Sequence, residues 1–322
     1  MKRIIILILL VSQIKGMAQD PIHTQFFMVP ETLSSSFTGA KQSTRAGIIH
    51  RVQWPGLNFS INTQFAFVDN WFEEVNSGIG ISVLNHKETT TRYNFTQVNL
   101  NYAYQFPISE EWNVRPSISV GYGAKDFGFQ NLVLEDQINI FSGIINVNSI
   151  DPINLNDSVR FIDFSASVLF NSENSWVGFT VKHLNKPNIS MEMEGQDNLD
   201  MFISLHGSLN IPFGDYRNDN KLFVLANGMM QGAYNRFDLG AKYEMDRFSF
   251  GLLAATNPIK TDPNSHLLTS INAFFGMDWE GFRFGYSYDF NVTEIGRTGG
   301  VYELSISYDF LNNYKCFGCP DY

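Results

Sequence analysis

Two cysteines near the end of the sequence have a spacing found in metal sites and redox motifs. Cys316 and Cys319 are separated by two residues, and the chain has no other cysteine. A structural zinc site takes four ligands, and a second Cys or His pair at zinc-finger spacing is missing from the sequence. The pair therefore predicts a local disulfide, which persists only in an oxidising compartment. A docking knob shaped by that disulfide is the alternative.

Side chains that serve in hydrolysis or metal binding do not form a recognisable motif. The six histidines are scattered, at His23, His50, His86, His183, His206 and His266. None belongs to an H-E-x-x-H pair, and no serine lies in a G-x-S-x-G turn. We therefore expect a protein that is not an enzyme and has no cofactor or metal, with a lipid hydrolase as a distant alternative.

The elements that must position these residues show a two-residue period. Every even-numbered residue of Gly281–Phe290 is aromatic, and Val301–Phe310 alternates apolar residues with Glu303, Ser305, Ser307 and Asp309. A period of two indicates β-strands whose two faces differ in chemistry. Strands of about ten residues with one aromatic, apolar face are typical of transmembrane β-barrels.

The start of the sequence agrees with an exported protein. Lys2 and Arg3 precede the apolar run Ile4–Val11, and small residues ending at Ala18 follow it. This order is typical of a secretory signal peptide cleaved after Ala18. The apolar run is too short for a membrane-spanning helix, which needs about 20 apolar residues. A membrane assignment must therefore come from strands.

Composition supports the same class of protein. Among 322 residues, 15% are aromatic, only 17% are charged, and the formal net charge is −10. The negative charge and the lack of a basic cluster argue against a nucleic-acid surface. These features favour an outer-membrane protein over a nucleic-acid-binding one.

The alternating segments predict an all-β fold, an antiparallel transmembrane barrel of about 14 strands. We expect a signal peptide (residues 1–18), a periplasmic N-terminal segment that is a candidate plug (19–43), the barrel (44–310) and a periplasmic tail (311–322). The connections mostly alternate between short and long, as in bacterial barrels with short periplasmic turns. Val68–Ser77 is an exception, being long where a short turn is expected.

Charged residues on the polar face of the strands are expected to point into the lumen, because each would be costly against lipid. They include Asp163, Lys182, Arg283, Asp289 and Glu303. One interpretation is a surface that selects a solute. The favoured one is a lattice of ion pairs that braces the barrel and seats a plug, because neither sign of charge dominates.

Two long outward connections, Gly128–Val159 and Asn185–Asp200, are candidate partner-binding loops, since recognition residues concentrate in loops on a rigid scaffold. They carry apolar residues that fully solvated loops would not need. These are Ile138, Ile140, Phe141, Ile144, Ile145 and Met191. A loop folded into the barrel mouth as a lid is the alternative.

Several short motifs, in order along the mature chain, resemble those of the PorP/SprF family. The first is Asp20-Pro21-Ile22-His23-Thr24-Gln25-Phe26-Phe27, and Arg51-Val52-Gln53-Trp54-Pro55-Gly56 resembles the R-x-Q-W-x-G motif. Further matches are Asn101–Phe106, Val181–Pro187, Gly285–Asp289, Gly299–Leu304 and Cys319-Pro320. Each motif is weak alone, whereas together they are fairly specific.

The resemblance implies an outer-membrane protein of Bacteroidota linked to type IX secretion and gliding motility. SprF-like members are partners of a secreted surface adhesin, recognised through its C-terminal domain, whereas PorP-like members contact other secretion components. The resemblance brings no catalytic residues. We therefore expect a scaffold that supports secretion or anchors an adhesin, with a transport channel for small or hydrophobic solutes as the alternative.

Overall fold

The computed structural model describes residues 20–57, 60–127, 138, 158–191, 195–212, 220–259, 267–293, 298–310 and 319–322. Its strands are β1 (Thr44–Gln53), β2 (Ile61–Phe72), β3 (Ser77–Glu88), β4 (Asn94–Tyr104), β5 (Phe106–Pro107), β6 (Asn113–Asp126), β7 (Ser158–Asn171), β8 (Ser175–Lys182), β9 (Phe202–Pro212), β10 (Lys221–Gln231), β11 (Tyr234–Met245), β12 (Phe248–Thr256), β13 (Leu268–Trp279), β14 (Phe282–Asn291) and β15 (Val301–Phe310). Short 3-10 turns span Pro30–Thr32, Ser35–Phe37 and Glu73–Val75. Within the described ranges, no helix is long and apolar enough to cross a membrane.

The strands form one closed antiparallel sheet. Each pairs with its neighbours along the chain, and β1 pairs with β15 from Thr44 opposite Phe310 to Gln53 opposite Val301. The two-residue β5 continues β4 beyond Gln105 and pairs with the start of β6, so β4 and β5 together count as one strand of a 14-stranded barrel. The predicted fold class is confirmed.

The alternation in the sequence separates the two faces of the barrel wall. On β14 and β15, Tyr286 and Leu304 are 44% and 53% exposed, whereas Ser287 and Glu303 are 0% and 1% exposed. The same alternation on the other strands gives an outer surface of Leu, Ile, Val and aromatic side chains. Because the outer face is apolar and most charged side chains face inward, this wall suits a bilayer.

The turns show which end of the barrel faces the periplasm. The connections 73–76, 172–174 and 280–281 are short and lie at the end where β1 begins and β15 ends. Bacterial barrels keep short turns in the periplasm. The predicted long connection at Val68–Ser77 is wrong, because β2 continues to Phe72. The polar Asp69 does not end the strand, since its side chain faces the lumen and is 4% exposed.

Residues 20–43 lie inside the barrel and are called the plug below. Phe26, Phe27 and Phe37 are completely buried. The first 3-10 turn begins at Pro30, and the side chain of Ser34 accepts a hydrogen bond from the amide of Ser36 at the start of the second turn. These turns satisfy backbone groups that cannot pair with the barrel wall.

Residues 319–322 also enter the barrel at the periplasmic end, although the sequence suggests a tail in the periplasm. The ring of Tyr322 is 1% exposed and belongs to a buried cluster with Phe37 and Trp176. Cys319 is in a disulfide. Cys316 lies outside the described residues.

Candidate functional site

The plug is held to the wall by a carboxylate on β15. Glu303 accepts hydrogen bonds from the backbone amides of Thr24 at 2.7 Å and Gln25 at 2.9 Å. The Thr24 hydroxyl donates to Asp289 on β14 at 2.8 Å. Hydrogen bonds to an ionised acceptor are stronger than neutral ones. We call this group of contacts, made by Thr24 and Gln25 with β14 and β15, the latch.

The side chain of Gln25 extends the latch through neutral hydrogen bonds. Its amide nitrogen donates to Ser287 Oγ at 3.2 Å and to the Glu303 carbonyl at 3.1 Å. Its oxygen accepts from Ser305 Oγ at 2.6 Å. A Cβ at Gly285 would overlap the Gln25 and Ser305 oxygens, so a larger residue here would displace the Gln25 side chain. The small residues of β14 and β15 thus form the binding site of the Gln25 side chain.

Arg51 on β1 balances the charge of the latch. Its guanidinium forms an ion pair with Glu303 and lies 3.5 Å from Asp289. It also donates to the Thr24 hydroxyl at 3.2 Å. These charged side chains are at most 5% exposed. Removing one member of such a buried network costs about 3–5 kcal/mol, because it leaves an uncompensated charge.

The first residue of the plug makes a second ionic contact, beside the end of β8. His183 Nε2 lies 2.9 Å from Asp20, and its Nδ1 lies 3.0 Å from Asp163. Burial lowers the pKa of His183, but the two carboxylates outweigh it and raise the pKa to about 9. Burial also raises the pKa of Asp20, but His183 outweighs it and lowers the pKa to about 2. The imidazole is therefore protonated at neutral pH.

One side of the plug is apolar and packs on β9–β13. Phe27 contacts Phe274 edge to face, with ring centroids 4.8 Å apart. Phe26 is also fully buried in this cluster. The wall supplies Phe202, Phe223, Leu225, Met229, Leu253 and Phe274 from β9–β13, and Ile49, Phe65 and Phe67 from β1 and β2. Burying several large side chains makes this contact the principal apolar attachment of the plug.

The second turn of the plug is held by Arg115 on β6. Its guanidinium donates to the carbonyl oxygens of Ser36 at 3.0 Å and Thr38 at 2.7 Å. Beside it, a Cβ at Gly78 would overlap the Thr38 carbonyl, so the plug backbone touches the β3 backbone. These contacts hold the second turn of the plug close to the periplasmic end of the barrel.

Between the plug and strands β3–β8 lies a polar cavity of about 60 Å³. Asp20, His23 and Lys182 line it together with amide and hydroxyl side chains of the wall, and the apolar side chains Leu33, Phe65 and Leu84 also line it. The wall residues include Ser82, Gln97, Asn99, Asn101, Ser119, Ser165 and Thr180. The cavity is large and polar enough to hold water.

The structure brings the predicted lumen charges to the inner face, where most contact the plug. Asp289 and Glu303 belong to the latch, and Asp163 contacts His183. Lys182 donates to the Thr32 carbonyl of the plug at 3.0 Å. Arg283 donates to the carbonyl of Tyr322 and pairs with Asp278 at 2.9 Å. All five side chains therefore lie on the inner face, and Asp289, Glu303 and Lys182 contact the plug directly.

Most of the predicted partner-binding residues lie outside the described residues, namely Ile140, Phe141, Ile144 and Ile145. Ile138 is 46% exposed, and Met191 is partly exposed. The sequence did not single out Ile189 and Leu199, which are buried against Phe95 and Phe161 on the wall. Part of the 183–201 connection therefore folds over the outward mouth.

Within the described ranges, no group of three His, Cys, Asp or Glu side chains is placed so that it could hold a metal ion. The cationic and anionic side chains of the lumen pair mainly with each other and with the plug. The arrangement is suited to holding segments of protein in place.

A model of the type IX secretion system membrane protein PorP/SprF matches residues 16–308. The chain belongs to the PorP/SprF family. It is therefore a barrel of the outer membrane and a type IX secretion membrane protein. No curated protein matches the sequence.

Solved outer-membrane barrels resemble this PorP/SprF chain in fold. The CymD monoaromatic hydrocarbon channel is 13% identical, with a TM-score of 0.50, and the match covers 91% of this chain and 94% of that one. The P. putida toluene transporter TodX is 7% identical, with a TM-score of 0.48 over 86% and 92% of the two chains. Omp33 of Acinetobacter baumannii is 8% identical, with a TM-score of 0.44 over 84% and 100%. At these identities the likeness concerns the fold alone.

The structure gives the PorP/SprF motifs a shared physical role. Thr24 and Gln25 of the first motif bind Asp289 of the Gly285–Asp289 motif and Glu303 of the Gly299–Leu304 motif. Arg51, from the second motif, pairs with the same carboxylates. Motifs almost 300 residues apart in the sequence therefore meet in the latch.

Proposed function

We propose that this protein is a plugged scaffold that supports type IX secretion and anchors a secreted adhesin at the cell surface, as in gliding motility. The observation that carries the proposal is the plug, which is attached to the wall by the latch, by His183 and by the apolar cluster. A barrel whose lumen is occupied in this way is suited to binding proteins at its two ends.

The adhesin would dock on the outward loops, through its C-terminal domain. Ile138 is exposed in the longest connection, and long loops on a rigid barrel are where recognition residues concentrate. At the periplasmic end, other secretion components would bind to the short turns and the tail.

Deleting residues 137–148 tests this proposal. We expect the variant barrel to fold and to remain heat-modifiable in gels, while the adhesin is lost to the medium or retained inside the cell. Surface labelling and mass spectrometry of the released proteins measure this. Replacing the same residues with a Gly/Ser linker of equal length is the control for loop closure. Full surface retention of the adhesin in the deletion strain would rule out this docking site.

A channel for small or hydrophobic solutes is the second candidate, and the polar cavity beside β3–β8 favours it. Purified barrel in liposomes distinguishes the two. A scaffold gives no swelling with small sugars, and a variant lacking residues 20–37 serves as the open control. Swelling by the intact barrel at the rate of the open control would favour the channel.

A further inference from the structure

The binding site of residues 319–322, called the seat below, is built from side chains of the plug and five strands. Arg45 on β1 donates to the Tyr322 hydroxyl at 2.7 Å, and Phe37 packs edge to face on the Tyr322 ring with centroids 5.3 Å apart. The Lys41 ammonium lies 4.1 Å from the centre of the same ring. The ring is thus held by one aromatic group and two cations, an arrangement that selects an aromatic side chain.

The residue before Tyr322 is recognised by its charge. Lys221 on β10 lies 2.7 Å from the Asp321 carboxylate. Asn210 on β9 donates to the same carboxylate at 3.4 Å, and the Trp176 indole donates to the Asp321 carbonyl at 3.2 Å. Burial raises the pKa of Asp321, but Lys41 and Lys221 outweigh it and lower the pKa. The seat therefore selects an ionised carboxylate beside the aromatic ring.

Four cations surround residues 319–322. Arg45 is paired with Glu31 and Asp309, each at 2.6 Å, and Arg283 is paired with Asp278. Lys41 donates to the Pro320 carbonyl at 2.9 Å, and Lys221 pairs with Asp321. Each of the four cations contacts the tail, and Lys221 contacts its carboxylate.

One edge of the seat is open to water. The side chains of Lys221 and Asp321 keep 32% and 25% of their surface exposed, whereas Arg45 is 2% exposed. An incoming segment can therefore exchange with Asp321 first and with Tyr322 afterwards. Because Tyr322 packs on Phe37 of the plug, exchange would reach the plug as well.

We propose that the periplasmic mouth is a binding site for an acidic, aromatic peptide segment of a periplasmic partner, a site that residues 319–322 occupy in cis. The proposal is supported by the chemistry of the seat: Phe37 packs on an aromatic ring, the Arg45 guanidinium binds a phenol hydroxyl, and the Lys221 ammonium binds a carboxylate. The proposal does not depend on the adhesin, because the seat and the outward loops are at opposite ends of the barrel.

Peptide binding to purified barrel tests the site. The probe is a fluorescein-labelled Ser-Pro-Asp-Tyr peptide, and the receptor is a barrel lacking residues 319–322. We expect saturable binding by anisotropy, at least ten-fold tighter than to the intact barrel, in which the tail competes. Lys221→Gln should weaken binding ten-fold or more, whereas Lys87→Gln, an exposed lysine at the opposite end, should not change it.

Two comparisons keep the outcome decisive. If the deleted barrel does not fold, the full chain carrying Asp321→Asn and Tyr322→Ala takes its place, because it keeps the tail but removes both recognised groups. Absence of saturable binding to a folded receptor overturns the proposal. Equal binding of a Ser-Pro-Asn-Ala peptide also overturns it. Neither result bears on adhesin retention, so failure here is distinguishable from failure of the proposed function.

Discussion

The two sides of the plug meet the barrel wall in opposite ways. Toward β9–β13, Phe26 and Phe27 are completely buried among apolar side chains. Toward β3–β8, a polar cavity separates the plug from amide and hydroxyl groups. The apolar side loses free energy when water enters, because burial of apolar area is what stabilises it. The polar side can exchange protein contacts for water at small net cost.

This difference indicates how the plug would move. Displacement away from β3–β8 would extend an existing hydrated space, whereas displacement from β9–β13 would expose a cluster of aromatic rings to water. We therefore expect the plug to stay attached to β9–β13 while its polar side opens. The latch and the His183 contact then determine how often opening occurs.

The largest expected effect is on the apolar side. Phe27→Ala should destabilise the plug by about 3–5 kcal/mol, because it leaves a cavity in a dry cluster. Hydrogen exchange of the plug amides should become about 100-fold faster or more. Phe275→Ala is the matched control, since that ring is 41% exposed on the outer face. Equal exchange in the two variants would contradict the assignment.

The second largest effect on plug stability is expected at the latch. Glu303→Gln removes the charge that balances Arg51 but keeps the shape of the side chain, and a buried pair broken in this way costs about 3 kcal/mol. We expect faster exchange at Thr24 and Gln25, and the appearance of ion conductance in planar bilayers. Glu110→Gln, in an exposed periplasmic turn, is the control. Conductance that stays at the wild-type level would show that the latch does not close the lumen.

The contact of His183 with Asp20 should make the plug sensitive to pH. His183 has a raised pKa of about 9, so its contribution is complete below its unfolded value of 6.5 and is lost as the pH rises through 9. Asp20 has a lowered pKa of about 2, so its contribution is present above 3.8 and is lost as the pH falls through 2. Protection of the amides of residues 20–23, measured against the exchange rate of an unstructured peptide at the same pH, should therefore be greatest between about pH 4 and 6.5. His183→Asn should abolish the loss of protection at alkaline pH, and a loss that persists would assign it to another group.

The smallest effect is expected on the polar side. Ser165 lines the cavity, and Ser165→Ala should change plug stability by about 1 kcal/mol or less, because water replaces the lost hydroxyl contacts. Leu253→Ala on the apolar side is the comparison and should cost about 2–5 kcal/mol. Similar costs at the two positions would mean that the two sides of the plug do not differ as described.

Much of the wall could be predicted from the sequence, because side-chain alternation is a local property of each strand. The alternation of aromatic residues on β14 and of apolar residues on β15 already predicts which side chains face lipid and which face the lumen. The predicted end of β2 is wrong, because the strand continues through Asp69 to Phe72, and the Asp69 side chain faces the lumen at 4% exposure. Local pattern cannot tell a polar residue in a turn from one on an inner face.

The amino-acid sequence is enough to predict the barrel, the different chemistry of its two faces and the family, because periodicity and short motifs are local features of the chain. The contacts of Thr24 and Gln25 with Glu303, and of Tyr322 with Phe37, are visible only in the folded protein. These contacts join segments more than 250 residues apart, and no local rule relates their positions. Closure of the β1–β15 seam brings them together, since it pairs the strand that follows the plug with the strand that precedes the tail.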